Sequence, residues 1–97
     1  MRYLILLAVF YQTLNVSAYA PTGNPTASGK WPTAGFTCAA DHLPFGTRIT
    51  TPDGRAWTVH DRFGGGYSDR LDIFLPTEAE CWQFGRQWLK CKVEVAE

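Results

Sequence analysis

Three aspartates stand in distinctive company: Asp41 follows Ala39-Ala40 and precedes His42-Leu43-Pro44-Phe45-Gly46-Thr47, Asp61 sits in Val59-His60-Asp61-Arg62, and Asp72 sits in Arg70-Leu71-Asp72-Ile73-Phe74. Carboxyl groups gathered in one cleft supply the proton donor, proton acceptor and negative charge that glycoside cleavage requires. Asp72 is the first candidate for the acid, because aspartate runs against strand propensity and such exceptions mark sites. Leu71 and Ile73 share one face of that strand, which leaves Asp72 on the other with Arg70 and Phe74. Asp41 likewise opposes the apolar set of the segment before it. The same alternation puts Asp61 on the face of Trp57 and Val59. Structural roles compete: Asp41 can hold the amides of the Pro44-Phe45-Gly46 turn, and Asp61 can hold the loop that follows Arg62.

Other chemistries fit less well. His42 and His60 each adjoin an aspartate, but neighbouring strand residues point to opposite faces, so neither pair makes a joint metal site. The pattern calls for no metal and no cofactor. Neither histidine stands in a motif that would pair it with a nucleophilic cysteine. Formal net charge is zero and there is no lysine- or arginine-rich run, so nothing marks nucleic acid or an anionic membrane surface as a partner. Four tryptophans and four tyrosines suit either a small β core or stacking on sugar rings.

The elements that must position these residues are short strands in one domain, since 97 residues leave room for no second one. Pro21 to Thr33 reads as an irregular surface segment. Strands are expected over Ala34–Ala40, Thr47–Thr51, Arg55–His60, Arg70–Phe74 and Gln87–Val95, with a hairpin turn at Pro52-Asp53-Gly54. Gly64-Gly65-Gly66 frees the backbone of a loop. A short helix opens after Pro76, with Thr77 as its cap, Glu80 completing a capping box and Gly85 ending it.

Met1-Arg2 and the apolar run Leu4–Phe10 have the form of a secretory signal, with cleavage preferred after Ala18 and a second fitting site after Ala20. The polar residues Gln12, Thr13, Asn15 and Ser17 stop the run short of the roughly 20 residues a membrane span needs. The expected organisation is a signal over 1–18 and a domain over 19–97, exported or held in the cell envelope; an uncleaved signal anchor is the alternative. Cys38, Cys81 and Cys91 in an exported chain allow one disulfide, with the pair left open, against the alternative of buried small hydrophobes.

The ordered set Ala18-Tyr19-Ala20-Pro21, Thr26-Ala27-Ser28-Gly29, Gly35, Asp41 with Leu43–Thr47, Asp61-Arg62, Gly64-Gly65, Arg70–Phe74 and Phe84-Gly85 resembles the three-aspartate (3D) family of double-psi β-barrel domains. That family includes the catalytic domain of the lytic transglycosylase MltA and is similar to RlpA-like domains. The resemblance implies an all-β, six-stranded double-psi barrel with one short helix and a surface groove for peptidoglycan glycan strands. It implies a lytic transglycosylase with Asp72 as general acid and base, Asp61 and Asp41 positioning or tuning it, and Arg62, Tyr67 and Arg70 as candidate substrate contacts. Where family members often carry Gly-Gly-Ala-Ile-Lys-Gly, this chain has Phe63-Gly64-Gly65-Gly66-Tyr67-Ser68, with the length kept and Tyr67 in place of the lysine. A monomer, acting alone or with a cell-wall protein, is expected. The alternative function is a non-catalytic wall-binding or wall-loosening module of the expansin kind.

Overall fold

A computed structural model describes residues 6–96; Met1-Arg2 and the first residues of the apolar run lie outside the described residues. The strands are β1 (Leu6–Tyr19), β2 (Thr37–Ala39), β3 (Arg48–Thr50), β4 (Ala56–Asp61), β5 (Arg70–Phe74) and β6 (Gln87–Ala96), with the helix α1 (Glu78–Phe84) between β5 and β6. They close into a barrel in the order β1-β5-β2-β4-β3-β6. β1 with β5 and β2 with β4 are parallel, and the other four pairings are antiparallel. Parallel neighbours require crossover connections, so this is not an up-and-down barrel. The all-β class, the six-strand closure and the single helix are as the sequence led us to expect.

Local chemistry explains the elements. Thr77 caps α1 by accepting from the Glu80 amide at 3.2 Å, and Gly85 closes it at φ 68°, its amide donating to the Cys81 carbonyl at 3.0 Å. Between β3 and β4, Gly54 takes φ 88° and the Thr51 amide donates to the Arg55 carbonyl at 2.9 Å, closing the expected hairpin. Inward-facing Leu14, Val16, Ile49, Trp57, Val59, Leu71, Ile73 and Val93 fill the barrel. Trp57 is 1% exposed and donates from Nε1 to Thr51 Oγ1 at 3.3 Å, so this tryptophan is core, whereas Trp31, Trp82 and Trp88 are exposed. Among the described residues, no helix is long and apolar enough to cross a membrane.

One expectation is corrected, that of a disulfide, and the segment around the expected cleavage site is folded into the barrel. The segment read as the end of a removable signal is barrel wall: Leu6–Val16 pairs with β6 and Asn15–Tyr19 pairs with β5, with Leu14 and Val16 fully buried. A cut after Ala18 would therefore take out a strand and open the barrel on two sides. The expected disulfide is absent. Cys38, Cys81 and Cys91 are free. Cys38 on β2 and Cys91 on β6 lie on strands at opposite sides of the closed order, and both serve as small apolar fillers of the core. Burial pushes the Cys38 thiol well up and the Cys91 thiol up to about 11, which keeps both protonated and inert.

Candidate active site: a carboxylate row on the outer barrel face

β-Sheet register brings two of the three aspartates together. Ala39 on β2 is paired with Asp72 on β5 at one side and with Asp61 on β4 at the other, and Asp72 is paired in turn with Ser17 on β1. Residues paired across neighbouring strands point to the same face. Cys38 and Ile73, one step along, are buried inside, so Ala39 and Asp72 point outward. Asp61 joins them through an irregularity: β4 slips one residue against β2, pairing Cys38 with Val59 but Ala39 with Asp61. His60 is the extra residue of this β-bulge. Simple alternation put Asp61 on the inner face of Trp57 and Val59; the bulge turns it out to face the same side as Asp72. The result is a row Ser17, Asp72, Ala39, Asp61 across four strands, with the two aspartate backbones two strand spacings apart, roughly 10 Å.

The two carboxylates have different surroundings. Asp72 accepts from Ser17 Oγ at 2.8 Å. Burial raises its pKa; the Ser17 hydrogen bond and the charges of Arg70 and Arg86 oppose this, the Asp61 charge adds to it, and the net shift is upward. Asp61 accepts from the Tyr19 hydroxyl at 3.2 Å and from the Ala27 and Arg62 amides, both at 2.9 Å. Tyr19 thus reaches from β1 to β4, past the two strands that separate them, and packs its ring on Phe74 at 5.1 Å. Burial, with the Asp61 charge and hydrogen bond, raises the Tyr19 pKa strongly, so the hydroxyl stays a donor.

Asp41 plays another part. Its Oδ1 accepts the Phe63 and Gly64 amides at 2.7 and 3.0 Å, and its Oδ2 accepts the Gly65 and Tyr67 amides at 3.0 and 3.2 Å. Burial works against the charge, but the four amides outweigh it and hold Asp41 below the usual carboxylate range. A carboxylate so occupied is not a proton donor at neutral pH. It is the anchor of a glycine loop, in which Gly64 and Gly66 take φ of 89° and 70° so that consecutive amides curl around it. The structural role weighed for Asp41 is therefore present, but on the loop at 63–67 and not on the Pro44-Phe45-Gly46 turn.

That loop builds the wall next to Asp72. Phe63 and Tyr67 meet edge to face at 5.7 Å, and the Arg70 guanidinium lies 4.8 Å from one ring and 5.0 Å from the other. A Cβ on Gly65 would run into the Tyr67 ring. Arg70, two residues from Asp72 on β5, is thus beside the row, with Tyr67 against it. Arg62 is committed to structure, since its Nη1 donates to the Ala40 carbonyl at 2.7 Å while its guanidinium lies 3.9 Å from the Phe45 ring centre. His42 bonds Gln12 through Nε2 at 2.9 Å and its Nδ1 is buried without a partner. His60 packs on Phe36. Among the described residues, no three of His, Cys, Asp and Glu converge as metal ligands.

Sequence reasoning missed Ser17 and the reach of Tyr19. Both lie at the edge of the presumed signal, and their sequence trace is the resemblance, which starts near Ser17 and implies a first strand at Ser17-Ala18-Tyr19. No family model matches the chain, and no curated protein matches it.

Proposed function

We propose that the protein cleaves peptidoglycan glycan strands by the lytic-transglycosylase reaction, with Asp72 as the acid and base. The observation that carries this is the outward row in which Asp72, with its proton favoured by burial, is steadied by Ser17 and stands two strands from the hydrogen-bonded carboxylate of Asp61. The resemblance to the three-aspartate barrels supports the same reaction. Protonated Asp72 gives its proton to the glycosidic oxygen, and the C1–O bond breaks with its electron pair leaving on that oxygen. The negative charge of Asp61 favours the oxocarbenium-like state that results. Asp72, now a carboxylate, takes the proton of the sugar's own C6 hydroxyl as that oxygen bonds to C1. The product is a 1,6-anhydro end, and no water is consumed. Tyr19 holds Asp61, while Asp41 acts at a distance by holding the Phe63–Tyr67 wall beside Arg70. A cell-envelope location follows from such a substrate.

Asp72→Asn keeps the size of the side chain and removes its acid. Turnover should fall by a factor on the order of 10² or more, while glycan binding persists. Mass spectrometry of the wild-type products should show 1,6-anhydro ends. Free reducing ends would instead indicate hydrolysis by two carboxylates. The exposed indoles of Trp31 and Trp82 favour a second reading, a glycan-binding module without cleavage. Equal glycan binding by wild type and Asp72→Asn, with no fragments from either, would select it.

A further inference from the structure

A hollow of about 680 Å³ opens between α1 and the chain around Tyr19 and Pro21. From the helix it is lined by Glu78, Cys81 and Trp82, which stand at i, i+3 and i+4 on one helical face, and beyond the helix by its cap Gly85. Cys81 of this face packs against the core in part, whereas Glu78 and Trp82 stand in solvent. Here α1 has no buried residue, and Trp82 is 86% exposed. The opposite wall includes Tyr19, whose hydroxyl bonds Asp61, so the hollow and the carboxylate row share this tyrosine.

We propose that this hollow is a second ring site for the same glycan strand, in which one pyranose lies on the Trp82 indole and its hydroxyls donate to the Glu78 carboxylate. The inference rests on the glycan-cleaving reading of the Asp72 row and adds to it a determinant of strand length. Three observations select a sugar. The volume lies within the roughly 300–1,000 Å³ of small-molecule sites. A flat apolar face beside a hydrogen-bond acceptor matches a pyranose, which has an apolar face and a polar rim. Tyr19, which borders the hollow and bonds Asp61, puts the hollow beside a strand held at the row.

The test compares Trp82→Ala and Trp82→Phe with wild type, using glycan strands stripped of their peptides, the disaccharide unit, and intact peptidoglycan as probes. Trp82 is exposed, so folding should be unchanged. Trp82→Ala should weaken long stripped strands about tenfold, equivalent to about 1.4 kcal/mol, leave the disaccharide unaffected, and be partly rescued by phenylalanine. Trp88→Ala, an exposed indole outside the hollow, should change nothing. Equal binding of long strands by Trp82→Ala and wild type overturns the proposal, as does a loss seen with intact peptidoglycan but not with stripped strands, which would assign the hollow to the peptide. If Trp82→Ala weakens strand binding while the wild type cleaves nothing, the ring site stands and the cleavage reading falls.

Discussion

Ser17 does for Asp72 what no other side chain in the row does: it offers a hydroxyl at 2.8 Å that favours the ionised form and fixes the direction of the carboxyl group. Replacing it by alanine leaves burial and the Asp61 charge to act with less opposition. Ser17→Ala should therefore shift the alkaline limb of the pH–rate profile upward, because an acid with a higher pKa keeps its proton to higher pH. An unchanged limb would remove Ser17 from the site. Asp72 was legible in the sequence, since Leu71 and Ile73 on either side of it settle which way it points. Asp41 was legible only in outline, because the Pro-Phe-Gly turn beside it drew attention from the glycines more than twenty residues on whose amides it accepts. Ser17 and Tyr19 were hidden, as small and polar residues after an apolar run satisfy the signal pattern as well as they satisfy a strand.

At the scale of elements, strands with clear alternation or turn punctuation were readable. β5 has the bounds expected, and the caps of α1 follow from Thr77, Glu80 and Gly85. β2 is shorter than expected because Gly35 takes φ 75° and turns the chain before Thr37. The bulge at His60 left no trace, since one extra residue in a ladder shows only when the partner strand is known. Of β1, the resemblance implies only the end at Ser17-Ala18-Tyr19, in tension with the signal pattern, which claims the rest. The role of β1 gives a direct test. A chain starting at Tyr19 lacks Leu14 and Val16 and leaves β5 and β6 each with one neighbour in place of two, in a domain small enough that its core has little reserve. It should show no cooperative thermal transition by circular dichroism, whereas the chain with β1 should melt in one step. A cooperative melt of the shortened chain would show that β1 is dispensable.

For the whole molecule, the site runs against stability. Because the Asp72 pKa is raised in the fold, the folded state is disfavoured as pH rises from the unfolded pKa through the folded one, and the cost is complete only above the folded pKa. Asp72→Asn should therefore raise the melting temperature at pH 7, and the gain should fade in acid, where the wild-type carboxyl is protonated in both states. An equal or lower midpoint at neutral pH would argue that Asp72 is well satisfied in its charged form. The barrel also has an order in time. β1 leaves the ribosome well before its partner β6: Leu14 must wait for Leu89, and Asn15 for Trp88. Contacts so distant along the chain are slow to form. During synthesis, therefore, the nascent chain has no way to close its barrel, and it remains an open, threadable polymer until β6 has emerged.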